Sequence, residues 1–274
     1  MKRLIKLLKI CTLSSGSDGN CIYITDGTTN ILIDAGISVT RIICELGALG
    51  VGAADIDAVF VTHEHSDHIS GLLRLLPRCA RARLYASCGT KAGIEERIPD
   101  LRGRAETVYP AEKTFVGEIA VTPFHTPHDT RESVGFRVES KNESIVIATD
   151  IGHVDDELLP RLCGCDLLLL EANYDERRLR CGKYPIFLKN RILGECGHLS
   201  NDECARCAVR AAGSGTKSII LAHLSRENNT PRDAYNAVHS ALTKSGAIPG
   251  VDVMLYLAPR GKRGEVITVN NNEY

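Results

Sequence analysis

The sequence carries almost no net charge: 33 basic residues stand against 34 acidic ones, leaving −1 over 274 residues. No global field therefore draws the chain to nucleic acid or to an acidic membrane, and any such attraction must come from a local patch. There is no uninterrupted run of about 18 apolar residues, which argues against a membrane-spanning helix. The start, Met1-Lys2-Arg3-Leu4-Ile5-Lys6-Leu7-Leu8-Lys9, has the basic opening of a secretory signal. Lys6 and Lys9 interrupt its apolar stretch, however, and no small-residue cleavage site closes it, so a cytoplasmic protein is expected. Low-complexity linkers and short-period repeats are also missing, which favours one compact domain over residues 1–274. With 43% hydrophobic residues, the chain can build a sizeable core.

Cysteine is abundant instead. There are 11, an odd number, so a complete set of internal disulfides is impossible. Cys11, Cys21, Cys44, Cys79 and Cys88 sit in or beside apolar segments, where a reduced thiol packs as a small hydrophobe. Cys163-Gly164-Cys165 and Cys204-Ala205-Arg206-Cys207 come nearer to metal spacing, but no second CxxC lies close to complete a site. Reduced thiols are the expectation.

Short β-branched runs dominate the first half. Residues 22–25 and 30–34 read as strands joined at the turn Asp26-Gly27, residues 38–49 carry a helical period, and 57–62 is a strand of buried type. A helix is expected next, capped by Ser66 or Asp67, with Leu72, Leu73, Leu75 and Leu76 inward. Further strands are expected at 119–124, 133–139, 144–149, 166–170, 217–222 and 252–257, and helices at 200–212 and 231–244. Strand groups with interspersed helices indicate an α/β fold of two sheets with helices outside.

The strand at 57–62 runs straight into Thr62-His63-Glu64-His65-Ser66-Asp67-His68. A lone histidine is more often a surface or satisfied core residue than a ligand. Three histidines and an aspartate within six positions, directly after a buried strand, reverse that expectation. His63 and His65 can project the same way from an extended loop, while Asp67 and His68 turn toward a second centre as a helix begins. Imidazole and carboxylate without thiolate suit Zn, Mn or Fe.

The segment His63-Glu64-His65-Ser66-Asp67-His68 resembles the HxHxDH hallmark of the metallo-β-lactamase superfamily, and the rest of that pattern follows in order. Asp34 ends Leu32-Ile33-Asp34, His128 follows the strand near 124, Asp150 ends Ile145–Thr149, and His223 ends Ile219–Ala222. The resemblance implies a four-layer αββα sandwich with two divalent metals at one edge. His63, His65 and His128 would hold one metal, Asp67, His68 and His223 the other, and Asp150 would bridge them. Asp34 would stand behind the ligands and orient an imidazole. His125 competes with His128 for its place; His128 is preferred because Pro127-His128-Asp129 immediately precedes the strand at 133–139. His153 could line the pocket, and His239 reads as a helix-surface residue.

Such a centre ionises a bridging water at neutral pH, which points to hydrolysis and leaves the substrate open. Further segments are similar to the WalJ/YycJ-like subfamily: Leu13–Asn20, Glu171-Ala172-Asn173-Tyr174-Asp175, Gly182–Pro185, Lys189–Leu193, Gly197–Asn201, and Ala222–Ser225 with Asn228-Asn229. Ala222 is a departure, since the pattern has glycine there. That resemblance implies a phosphodiesterase acting on DNA, with 5′-to-3′ exonuclease activity. Residues 177–191 agree with it, carrying Arg177, Arg178, Arg180, Lys183, Lys189 and Arg191 and no acid. Such a run can neutralise backbone phosphates, with Tyr184 and Phe187 stacking on bases; as a bare feature it would be a solvated helix face.

Ser15, within Ser14–Ser17, and Asn173 are further substrate-binding candidates. Alongside Asp67, His198 is the candidate catalytic residue, a general acid for the leaving oxygen or a phosphate ligand. The main alternative is a small-ester or thioester hydrolase of glyoxalase-II or lactonase type, which leaves the basic run without a purpose. A non-catalytic DNA-binding module sits poorly with an intact ligand set. The choice between monomer and homo-oligomer stays open.

Overall fold

The computed structural model describes residues 7–269; residues 1–6 of the signal-like start lie outside the described residues. β-Branched and leucine-rich runs, punctuated by glycine and aspartate turns, pair into two seven-stranded sheets. The first contains β1 (Lys9–Ser14), β2 (Cys21–Thr25), β3 (Asn30–Ile33), β4 (Ala58–Val61), β5 (Arg83–Ala86) and β6 (Ala105–Thr107) in that spatial order. The second runs from β7 (Thr114–Val116) through β8 (Ile119–His125), β9 (Val134–Ser140), β10 (Glu143–Ala148), β11 (Leu167–Glu171) and β12 (Ser218–Ala222) to β13 (Met254–Leu257). A short β14 (Ile267–Thr268) returns to pair with β1. Each sheet opens antiparallel and then turns parallel, from β3 in the first and from β10 in the second.

The inner faces meet in one apolar layer. Ile10, Ile24, Ile33 and Phe60 of the first sheet face Val121, Phe136, Ile147 and Leu169 of the second, and all are buried. Phe60 stacks on Tyr85 at 4.7 Å between centroids and meets Phe136 edge-on at 5.7 Å. Helices cover the outer faces, which completes the αββα sandwich. On the first sheet lie α1 (Val39–Ala48), the single turns α2 (Ser66–Ile69) and α3 (Leu72–Leu75), and α4 (Cys88–Arg97). On the second lie α5 (Leu159–Leu162), α8 (Asn201–Gly213) and α9 (Pro231–Lys244). Between α5 and α8, the short helices α6 (Glu176–Cys181) and α7 (Ile186–Leu193) pack on a satellite cluster of Tyr174, Leu179 and Ile192.

The strands and helices expected from the sequence are present near their expected positions, but β1, β5, β6, β7, β14 and the helix α4 go beyond those expectations. Some details differ. The helix after the histidines is broken into α2 and α3, because Gly71 donates its N–H to Ala35 O at 2.7 Å instead of extending the turn. The residue preceding α2 is His65, with no side-chain cap, so neither Ser66 nor Asp67 is the cap. Leu73 is exposed, unlike Leu72, Leu75 and Leu76. All 11 cysteines are free thiols, but Cys44 and Cys88 are exposed rather than packed as small hydrophobes. Burial pushes the Cys79 thiol up to about 11 and the Cys207 thiol up to about 12.

Candidate metal centre

The polar residues gather where parallel strands end. Asp34 follows β3, His63 follows β4, Asp150 lies just beyond β10, and His223 follows β12. Carboxyl ends of parallel strands are where open α/β sheets expose their loops to a ligand. Three of these residues have left-handed backbones: Asp34 at φ 62°, Asp150 at φ 58° and His223 at φ 54°. Non-glycine residues hold that conformation only where surrounding contacts impose it. At His223 the contacts are explicit. Its N–H donates to Ser15 Oγ at 2.8 Å, and its carbonyl accepts from Asn173 Nδ2 at 2.9 Å.

The imidazoles are oriented from behind. His68 Nδ1 meets Asp34 Oδ2 at 2.7 Å, His223 Nδ1 meets Glu171 Oε1 at 2.8 Å, and His128 Nδ1 meets Gly197 O at 3.0 Å. A carboxylate or carbonyl accepts, so each Nδ1 carries a proton and each Nε2 faces the cluster. Thr62 Oγ1 lies 3.0 Å from His63 Nδ1 while also donating to Asp34. His65 presents Nδ1 instead, 3.3 Å from His128 Nε2.

Four donor groups result, each with atoms within 4.8 Å of one another: His63 with His65 and His128; Asp67 with His68 and His223; His63 with His68 and Asp150; and Asp150 with Glu171, His198 and His223. Asp150 joins the groups, with Oδ2 3.3 Å from His68 Nε2 and Oδ1 3.6 Å from His223 Nε2. His63 Nε2, Asp150 Oδ2 and His223 Nε2 are buried and make no hydrogen bond among the described residues. Buried polar atoms left so cost roughly 1–3 kcal/mol each. A divalent cation satisfies all three, so the residues fit one.

Electrostatics divides the cluster. Burial, reinforced by neighbouring imidazoles, holds His63 well below the ordinary imidazole value; burial also lowers His65 and His128. Burial opposes charge on His68 and His223 too, but the carboxylates outweigh it. Asp34 and Asp150 hold His68 well above its usual value, and Asp150, Asp67 and Glu171 do so for His223. Despite its burial, Asp67 is held far below the carboxylate range by His223 and His68.

The profile of the β-lactamase superfamily domain matches residues 29–224, which takes in the cluster from Asp34 to His223. The chain belongs to that superfamily. It is 35% identical over 251 residues to the exodeoxyribonuclease WalJ of Streptococcus pneumoniae, covering 90% of this chain and 93% of that protein. It is 33% identical to the exodeoxyribonuclease YycJ of Bacillus anthracis, covering 87% and 90%. These relatives set it in the WalJ/YycJ-like group. The metallo-β-lactamase fold protein YhfI from Bacillus subtilis superposes with a TM-score of 0.69 over 96% of this chain and 99% of its own, at 16% identity, so it shares the fold. The superfamily and the His/Asp clusters together point to divalent-metal binding.

Within this superfamily fold, other residues singled out in the sequence lie as follows. His125 is exposed at the end of β8, away from the donor groups that include His128. His153 contacts Glu195 O through Nδ1 at 2.8 Å. His198 joins the cluster, with Nδ1 2.8 Å from Glu171 Oε1 and 3.7 Å from Asp150 Oδ1. Ser15 and Asn173, both candidates for substrate contact, are buried with their polar groups on the His223 backbone.

Much of the basic run is internally paired. Arg191 grips Asp129 at 2.5 and 3.0 Å, Arg178 meets Asp233, Arg180 meets Glu176, and Lys189 donates to Arg180 O. Tyr184 packs against the satellite cluster, whereas Phe187 is 72% exposed.

Two residues emerge that sequence reasoning gave no role. Glu171 is fully buried, and its Oε1 spans the Nδ1 atoms of His198 and His223. Its Oε2 accepts from Ile151 N at 2.8 Å, and the two imidazoles hold the carboxyl well down despite burial. The polar end of an otherwise apolar Leu167–Leu170 run was the available signal. The other is Asn20, whose Nδ2 lies 3.0 Å from His68 Nε2.

Proposed function

We propose that this protein is a metal-dependent nuclease of exodeoxyribonuclease type, hydrolysing phosphodiesters of DNA at a centre for two divalent cations. The observation that carries this reading is a set of buried, unpartnered donor atoms at one sheet edge, on a chain that matches exodeoxyribonucleases over nearly its whole length. His63, His65 and His128 would hold one cation, Asp67, His68 and His223 the other, with Asp150 between them. Bound there, two such ions would supply Lewis acidity for ionising water at neutral pH and for stabilising charge on phosphoryl oxygens.

The chain's own residues then have definable tasks. Asp34, Glu171 and Gly197 O hold three imidazoles in the tautomer that offers Nε2. His198, with Nδ1 on Glu171, has Nε2 available to give a proton to the leaving alkoxide. Burial works against charge on that imidazole, and the Glu171 carboxylate opposes it and raises the His198 value, favouring the protonated form. The basic α6–α7 segment supplies cations that do not pair internally; Arg177 and Lys183 have no acidic partner among the described residues. A glyoxalase-II or lactonase type hydrolase would use the same donors and gives these cations no task.

The test is metal-reconstituted protein on end-labelled single-stranded and duplex oligonucleotides, beside a thioester and a lactone. Stepwise release of mononucleotides from one end is expected, with Asp67→Ala inactive and folded. Turnover of the thioester or lactone with oligonucleotides left intact would overturn the nuclease reading.

A further inference from the structure

We propose that the Asn20 carboxamide is a substrate-contacting donor, which holds a non-bridging phosphate oxygen at the His68 side of the centre; this rests on the nuclease reading above. Asn20 is buried in the loop between β1 and β2 and is fixed at three points. Its N–H donates to Asp67 O at 2.8 Å, its carbonyl accepts from Gly36 N at 2.8 Å, and its side-chain Oδ1 accepts from Gly16 N at 2.9 Å. The last bond sets the amide's orientation: with Oδ1 turned to Gly16, Nδ2 is turned into the cluster. There it meets His68 Nε2 at 3.0 Å and Asp67 O and Oδ2 at 3.5 Å each.

The surroundings of that N–H carry the inference. His68 Nδ1 is held on Asp34, so in the neutral imidazole that a cation requires, the Nε2 lone pair lies beside Asn20 Nδ2. A cation on that lone pair takes away the amide's shortest contact. A donor is then left inside a buried site whose nearest remaining acceptors lie at the limit of hydrogen bonding. Leaving it unmet is costly, and an anionic phosphate oxygen is the acceptor such a site receives. Position alone does not require Nδ2, because the backbone bonds and Oδ1 already anchor the residue.

The loop is shaped to bring the amide this close. Gly19 has φ +134°, and a Cβ there would lie 2.4 Å from Gly36 O. Asn20 therefore enters from the first sheet, while His198 enters from the second through Glu171. Two N–H donors reach the cluster from opposite sheets, one suited to a non-bridging oxygen and one to the leaving oxygen.

Three variants test this. Asn20→Ala removes the donor without adding charge. Asn20→Asp keeps the acceptor for Gly16 but replaces the donor with an anion. Asn20→Ser keeps a small acceptor for Gly16 and serves if the alanine variant folds poorly. Zinc affinity is read by chelator competition, and inorganic phosphate binding to the zinc-loaded protein by calorimetry. In Asn20→Ala, zinc affinity should stay within about threefold while phosphate Kd rises about tenfold, the weight of one good hydrogen bond to a charged group. On oligonucleotides kcat should fall about 10²-fold, as for loss of one oxyanion donor. Asn20→Asp should bind zinc at least as tightly and phosphate more weakly still.

Unchanged phosphate binding in Asn20→Ala, or weakening confined to Asn20→Asp, would overturn the inference. So would a loss of zinc affinity as large as the loss for phosphate, which marks a scaffold residue. If the wild type cuts no oligonucleotide yet Asn20→Ala loses phosphate, the nuclease reading fails and the donor stands. If cutting and phosphate binding both survive in Asn20→Ala, the donor role alone fails.

Discussion

On the nuclease reading, His198 backed by Glu171 has a proton-transfer task that can be tested apart from cation binding. If His198 protonates the leaving alkoxide, His198→Ala should lower kcat on DNA about 10²-fold, within the range for general acid catalysis. Bis(p-nitrophenyl) phosphate, whose leaving group needs no proton, should be hydrolysed at close to the wild-type rate. Equal losses on both substrates would assign His198 to phosphate binding or to metal retention. The imidazoles also predict a pH signature for the metal-free protein. His63, His65 and His128 are held low and already unprotonated near neutrality, whereas His68 and His223 are held high and must release protons to accept a cation. Acidification from about pH 8 to about pH 6 should weaken zinc binding at the His68/His223 side while the His63/His65/His128 side stays nearly constant. Zinc titrations across that range, resolving two steps, check it. Gly36 makes a third case. A Cβ there would lie 1.6 Å from Asp67 O, so Gly36→Ala must push away the loop that carries Asp67 and His68. A stability loss of about 3 kcal/mol, the upper part of the usual overpacking range, is expected by denaturant titration, together with weaker zinc binding.

Among the elements, α6 and α7 have the most uneven relation to their sequence. Six cations without an acid at 177–191 suggest an open phosphate track, yet Arg180 pairs with Glu176 one turn back, and Arg191 and Arg178 take Asp129 and Asp233 from elsewhere in the chain. No local pattern announces pairings across such separations. The salt dependence of oligonucleotide binding should therefore rest on Arg177 and Lys183. Replacing both with Ala should reduce the slope of log K against log salt by about 1–2, roughly 0.7–0.9 for each phosphate that is no longer neutralised. Arg191→Ala should act differently, because it strands the Asp129 carboxylate 3.5 Å from His128 Nε2. The strands ending at His63, Asp150 and His223 were legible because an apolar run stopping at a polar residue is a local signal. The same holds for α8 and α9, whose caps Ser200 and Thr230 accept from Glu203 N and Asp233 N. The break between α2 and α3 was not legible. Gly71 leaves the helical pattern because its N–H is taken by Ala35 O, which belongs to a distant loop. Asn20 escaped for the same reason, and although Glu171 carried the local signal of a polar end to an apolar run, the two imidazoles it holds come from remote segments.

At the scale of the molecule, the apolar layer between the sheets holds the two halves in register. Phe60 is fully buried there between Tyr85 and Phe136, so Phe60→Ala should cost about 3–5 kcal/mol by denaturant unfolding. The sandwich itself was readable from the order of strands and helices, but which faces meet was not, because it depends on side chains from both halves of the chain. The donor set is divided along the same line: His63, His65, Asp67 and His68 follow the first sheet's β4, while His128, Asp150 and His223 follow strands of the second. On the metallonuclease reading, that division is a safeguard in time. A chain that has folded only its leading half owns one part of each cation's cradle and no complete one. A strand-cutting activity is thereby withheld from every unfinished or half-opened molecule and granted only to one that has closed.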